Sequence, residues 1–163
     1  MLHKVSIAGL TIDPTSNTPI VVLKSDEDDQ TVPIWIGLLE ATSIAAVLQD
    51  IKFDRPMTHD LFKNFITQQD MSVSGVEIVD IQNNTFYARI NFICRDGNFS
   101  MDARPSDAIA LALRFKAPIY VEDKVLVQSM PGKGQTEVLD NSEEGKKWAE
   151  YLEKLSPDKF GKV

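Results

Sequence analysis

Cysteine is nearly absent from this 163-residue chain. Cys94 stands alone, so no intrachain disulfide and no cysteine-based zinc site can form. Histidine is almost as scarce. His3 and His59 are the only two, too few for a histidine-rich zinc centre. No apolar run nears the ~18 residues that would cross a bilayer as a helix, so no membrane partner is expected. Met1 to Leu10 is interrupted by Lys4, Ser6 and Gly9 and lacks the apolar core of a secretory signal. The cytoplasm is therefore the expected compartment. Glycine-rich phosphate loops and the G-x-S-x-G nucleophile elbow are missing too, which removes two common routes to phosphate and acyl chemistry.

The remaining composition is that of an ordinary globular protein, with 43% hydrophobic and 25% charged residues. Net charge is −7. A uniformly acidic surface repels nucleic acid, whose binding rests on neutralised phosphates. The charge is uneven, however. Asp26 to Asp29 form one acidic run, and further acids crowd the tail after Asp140. All five arginines lie between Arg55 and Arg114. Surface salt bridging accounts for such a pattern as readily as phosphate binding does.

The period of the apolar residues predicts an α/β (α+β) fold, with mixed sheets and helices packed on them. Val5, Ile7, Leu10 and Ile12 mark a first strand, and Asp13-Pro14 and Ser16-Asn17 break it. Pro19 to Lys24 and Thr31 to Ile36 are two more strands, with the acidic run as their hairpin tip. Ile44, Val47, Leu48 and Ile51 then repeat at helical spacing. Thr58 caps a second helix, whose apolar face is Leu61, Phe62, Phe65 and Ile66. Val73 to Ile81 and Phe86 to Phe92 are strands. Asp96-Gly97 is a hairpin turn, and Phe99 to Ala103 returns from it. Pro105 suits the first position of a helix, and Ala108 to Phe115 is apolar nearly all round, so that helix is expected to be buried. Ile119 to Val121 is a short strand and Lys124 to Gln128 another.

Residues 1–130 thus read as one domain. Residues 131–163 read as a linker and a C-terminal amphipathic helix, capped by Ser142, with Trp148, Leu152 and Leu155 on one face. That helix is expected to pack on its own domain or on a partner chain, which leaves a homodimer open. Within the domain, strand, turn, strand and helix from Pro19 to Leu48 recur from Thr85 to Leu113. Ile44-Ala45-Ala46-Val47-Leu48 is answered by Ile109-Ala110-Leu111-Ala112-Leu113. A duplicated β-β-α unit places two helix starts, near Leu38 and Pro105, in related positions.

Polar chemistry gathers at three places. Asp102-Ala103-Arg104-Pro105-Ser106-Asp107 sits at a strand-to-helix junction, where free N–H groups attract anions. Asp102 and Asp107 suit a divalent cation or an activated water; equally, Ser106 and Asp107 suit helix capping, with Arg104 paired to Asp102. Glu40 is the corresponding acid of the first half, on the apolar stripe of its helix, where it needs a partner. Arg55-Pro56-Met57-Thr58-His59-Asp60 sets a histidine beside an aspartate, an arrangement that serves acid–base catalysis or a plain helix start.

At these residues the chain resembles the bifunctional nuclease (BFN) domain family of bacteria and plants. The likeness rests on four motifs in order: Pro33-Ile34-Trp35-Ile36-Gly37 with Glu40-Ala41, Arg55-Pro56-Met57-Thr58-His59-Asp60-Leu61, Asn84 to Arg89, and Asp102 to Leu113 followed by Ala117-Pro118-Ile119. It covers roughly residues 3–130. The resemblance implies a compact mixed α/β domain that hydrolyses DNA and RNA, and nucleic acid as partner. The catalytic set expected from it is Glu40, His59, Asp60, Asp102 and Asp107, with Arg55, Arg104 and Ser106 holding substrate. The expected assistance is a hard divalent ion, Mg²⁺ or Mn²⁺, because the available ligands are oxygens. Asp102 and Asp107, with Glu40 as a third carboxylate, are the residues expected to bind that ion or to orient a water. The competing reading is a non-catalytic domain that binds an anion or a regulatory partner.

Overall fold

β-Branched runs separated by turn formers set the strands, and the computed structural model describes residues 1–128. β1 (Leu2–Ile12), β2 (Pro19–Ser25) and β3 (Thr31–Trp35) form an antiparallel meander. α1 (Leu38–Leu48) follows, then α2 (Thr58–Gln68). A second meander comes next, of β4 (Ser72–Gln82), β5 (Thr85–Ile93) and β6 (Phe99–Ala103), closed by α3 (Pro105–Phe115). β7 (Ile119–Glu122) and α4 (Asp123–Gln128) complete the described residues. β7 joins the meanders, antiparallel to β1 and parallel to β4, in one seven-stranded sheet of order β3-β2-β1-β7-β4-β5-β6.

The repeat is therefore one strand longer than the β-β-α unit read from the sequence. Each half is three strands and a helix, and α1 and α3 are both 11 residues long. α3 is the central helix: it packs against α1, α2, β4 and β5. Ile44, Ile109, Leu111, Val76, Ile78 and Phe92 are almost fully buried around it. The expectation that this helix is enclosed is borne out, and Pro105 does occupy its first turn.

All three long helices end alike. A residue in the left-handed region follows the last turn: Asp50 (φ 52°), Asp70 (φ 54°) and Lys116 (φ 54°). The next amide bonds back into the helix, from Ile51 to Ala46 (2.8 Å), Met71 to Ile66 (3.1 Å) and Ala117 to Ala112 (2.9 Å). These reversals satisfy carbonyls that the helix leaves open. They also explain why Ile51, which continues the apolar spacing of α1, lies outside it.

Three further expectations are corrected. Lys124 to Gln128 is helical, not a strand. The cap of α2 is Met57 rather than Thr58; Asp60 accepts the Met57 N–H at 3.0 Å. Of the apolar residues on α2 only Ile66 is buried, while Leu61 and Phe65 are 61% and 53% exposed. α2 lies outside α3, so one stripe of it meets the core and the next meets solvent. The helix expected after Ser142 lies outside the described residues.

One cation sits inside this helix layer. The Arg114 side chain is 4% exposed, and its Nε donates to Asp60 Oδ1 at 2.7 Å. Its Nη1 donates to the Ala110 carbonyl at 3.0 Å, and its Nη2 to Ser43 Oγ at 3.1 Å. One guanidinium thus ties α3 to α2 and α1.

Two stability changes follow. Arg114→Met leaves Asp60 without its cation beside apolar walls, and urea unfolding should show a loss on the order of 3–5 kcal/mol. An unchanged midpoint would remove Arg114 from this structural role. Lys116→Gly relieves a lysine from the left-handed region and should stabilise by about 1 kcal/mol in the same assay, whereas Asp50→Gly gains less because aspartate tolerates that region better.

Candidate functional site

Three chain segments meet at one end of the helix layer: the start of α1, the first turn of α2 and the β6–α3 junction. Gly37 precedes α1 with extended backbone, φ −72° and ψ 159°. A Cβ there would collide with the Glu40 carboxylate, so the glycine lets that side chain fold back over its own helix start. Arg104 holds the same position before α3, also extended, at φ −68° and ψ 145°. Glu40 and Asp107 are thus equivalent third residues of two equivalent helices, and both reach the same arginine.

Arg104 Nη1 lies 2.9 Å from Glu40 Oε1. Its Nε and Nη2 donate to Asp107 Oδ2 and Oδ1 at 2.8 and 3.2 Å, a forked pairing. Asp107 Oδ1 also lies 2.8 Å from His59 Nε2. The other ring nitrogen, Nδ1, lies 2.8 Å from Ser43 Oγ. Ser43 Oγ accepts from Arg114, as described above, and Arg114 holds Asp60. A continuous chain therefore runs Glu40–Arg104–Asp107–His59–Ser43–Arg114–Asp60. A guanidinium only donates, so the Ser43 hydroxyl proton is free for His59 Nδ1. In the neutral ring the proton then sits on Nε2 and is donated to Asp107.

Burial pushes the Asp107 carboxyl up, but the hydrogen bonds and charges of Arg104 and His59 outweigh it and hold the group below its ordinary value. Asp107, and after it Glu40, raise the Arg104 guanidinium in return. Asp107 is accordingly an anion at neutral pH.

The chain borders two hollows of similar size. The first, of about 410 Å³, has Phe62, Ile90, Phe92, Met101 and Leu111 as apolar walls. His59, Asp102, Arg104 and Asp107 supply its polar side. Asp102 is exposed there and makes no ion pair among the described residues. The second hollow, of about 400 Å³, is lined by Lys52, Asp54, Arg55, Asp60, Asn64 and Arg114 among others.

Folding thus gathers His59, Asp102, Arg104 and Asp107 at the first hollow, and Glu40 joins them through its ion pair with Arg104. Asp60 and Arg55 lie at the second. Ser106 is buried and lines neither, so it is not placed to touch a substrate, contrary to the expectation. Arg104 does not pair with Asp102, and Asp107 caps no backbone group among the described residues. Two members of the chain, Ser43 and Arg114, had no part in the sequence-based site. Arg114 had a signal: a cation inside an otherwise apolar helix demands buried partners. Ser43, a small polar residue on an apolar helix, had none.

Among the described residues, no three histidine, cysteine or acidic side chains converge as a metal site. The guanidinium of Arg104 fills the space between Glu40 and Asp107, the two carboxylates nearest to forming one.

The model of the bifunctional nuclease domain matches residues 21–131, a stretch that contains both hollows. Uncharacterized proteins from two Mycobacterium tuberculosis strains are each 39% identical over 164 residues, covering 98% of both chains. Bifunctional nuclease 1 of Oryza sativa subsp. japonica is 28% identical over 117 residues, covering 69% of this chain and 35% of that protein. Its Arabidopsis thaliana counterpart is 29% identical over 108 residues, with 63% and 33% covered. The plant proteins are thus about three times the length of the segment they share with it. The chain belongs to the bifunctional nuclease domain family.

Proposed function

We propose that the first hollow hydrolyses phosphodiester bonds of DNA and RNA. The observation that carries this reading is the Ser43–His59–Asp107–Arg104 chain at the polar side of an open cavity, with an unpaired Asp102 on the same wall. A proton-transfer group, a carboxylate and a cation within reach of one volume are the parts such hydrolysis needs.

Each residue has a role. Asp102 takes the proton of the attacking water. His59 in its protonated form releases its Nε2 proton from Asp107 to the leaving oxygen, and the neutral ring that remains keeps its Nδ1–H on Ser43 Oγ. Asp107 orients both His59 and Arg104 and stays ionised while it does so. Arg104 spends three N–H groups on Glu40 and Asp107 and keeps two, on a side chain 65% exposed, for charge that develops on the phosphate. No step of this reading is routed through a metal ion.

A second reading has its own support. Leu61 and Phe65 expose an apolar stripe on α2 beside the site, and Arg104 is already held by two carboxylates. Both features suit a domain that docks a regulatory partner without turnover.

Cleavage assays on single-stranded DNA and RNA separate the two. His59→Asn and Asp102→Asn should each slow cleavage by about 10²–10⁴-fold, the scale of a lost acid or base, in Mg²⁺ or EDTA alike wherever the wild type cuts. Ser43→Ala should cost less and shift the pH profile. Equal rates from all preparations would mark the activity as a contaminant's and leave the docking reading.

The pH dependence of stability has a fixed sign. A carboxyl depressed by folding contributes fully above its ordinary value, and the contribution is lost as pH falls through the depressed folded value. The stability difference between wild type and Asp107→Asn should therefore shrink from about pH 5 downward. Urea midpoints at stepped pH check this; a constant difference would mean that Arg104 and His59 do not stabilise the anion.

A further inference from the structure

We propose that the second hollow, around Lys52, Arg55 and Arg114, is a phosphate-binding subsite that seats a backbone phosphate of a single nucleic acid strand next to the one in the first hollow. The identity of the strand rests on the nuclease reading above; the anion preference of the hollow does not.

Charge separates the two hollows. In the first, Arg104 is held by Glu40 and Asp107, and Asp102 adds an unpaired negative charge, so the wall is acidic on balance. In the second, Lys52, Arg55 and Arg114 face Asp54 and Asp60. Asp60 is spent on Arg114. Among the described residues neither Lys52 nor Arg55 makes an ion pair, and both are exposed. A chain of net charge −7 thus keeps at one concave place two cations that make no ion pair among the described residues, against one likewise unpaired acid, Asp54, a balance of one positive charge. The Asn64 amide adds a neutral donor to the same wall.

The cations stand on a prepared loop. Residues 49–57 are tied at the near end by the Ile51 N–H to the Ala46 carbonyl (2.8 Å) and at the far end by the Met57 N–H to Asp60 Oδ2 (3.0 Å). Pro56 restricts the backbone conformations open to the preceding Arg55. Little ordering remains for a ligand to impose, which favours binding. Arginine in particular presents a fork that matches phosphate oxygens.

Position links this hollow to the first. His59 lines one and Asp60 the other, and they are consecutive residues in the first turn of α2. The hydrogen-bonded series His59–Ser43–Arg114 joins them internally. A strand crossing the first turn of α2 would meet both, its neighbouring phosphate held by Lys52 and Arg55 while the other faces His59. Single strands can bend around such a turn more easily than a stiff duplex.

Fluorescence anisotropy with a labelled 12-nucleotide single strand in EDTA, at several salt concentrations, tests the proposal. The Lys52→Gln/Arg55→Gln double variant should bind about tenfold more weakly, with the salt slope reduced by about 0.7 for each phosphate that is no longer neutralised. Lys4→Gln, on β1 outside both hollows, should bind as the wild type does. Unchanged affinity and slope in the double variant would overturn the subsite, as would an equal weakening in Lys4→Gln, which would reduce the effect to general charge. Inorganic phosphate separates the sources. If it raises the melting temperature of the wild type but not of the double variant, while strand binding is the same in both, the hollow takes small anions and the strand assignment falls. Cleavage distinguishes the two proposals. A wild type that binds through Lys52 and Arg55 but never cuts keeps the subsite and loses the nuclease; one that cuts with the double variant unaltered keeps the nuclease and loses the subsite.

Discussion

The Arg114 guanidinium is the group on which the rest of this site depends. It is a buried cation, and a buried cation must be paired on every side to be tolerated. Its partners come from α1 and α2 as well as from its own helix: Ser43, Asp60 and the Ala110 carbonyl. Satisfying one side chain therefore sets the position of two other helices. The same Ser43 hydroxyl that accepts from Arg114 faces His59, so the demand of the core passes directly into the orientation of the imidazole. His59 then meets Asp107, and Asp107 meets Arg104, without a gap longer than a hydrogen bond.

The two halves of the chain are alike in architecture and unlike in chemistry. Both place an acid at the third residue of the helix that closes a three-stranded meander. Only the second half precedes that helix with an arginine; the first has Gly37 there. One arginine consequently serves two acids, Glu40 from one half and Asp107 from the other. The salt-bridged seam lies between related units, and the first hollow opens beside it.

Electrostatics divide the labour between the hollows. The acidic surface of the chain works against a polyanion everywhere except where cations are left uncommitted. Arg104 is strongly placed but largely spent, and suits a role in which charge appears during reaction. Lys52 and Arg55 are exposed and make no ion pair among the described residues, and suit a role in which charge is already present on arrival. The two lie close through α2, so a strand bound as proposed would set neighbouring phosphates in different environments.

Much of the architecture was legible from spacing alone. The alternation in β1 and β5, the apolar run of β2, the turn at Asp96-Gly97, the proline at the start of α3 and the enclosure of that helix all follow from local rules, because the spacing of apolar residues reports which faces an element buries. The acids Glu40, Asp102 and Asp107 and the single interior histidine stood out because such residues at element junctions require partners. What those partners are was decided elsewhere. Whether Arg104 takes Asp102 two residues before it or Glu40 from the other half depends on how α1 packs on α3. Whether Leu61 and Phe65 are core or surface depends on how far α2 lies from the sheet. The separation of Arg55 from Arg104 into different hollows depends on which side of α2 each segment reaches. Local sequence determines what an element is and what its residues need. Only tertiary packing determines who meets that need, since the partners lie dozens of residues apart and are brought within hydrogen-bond distance by the burial of other side chains.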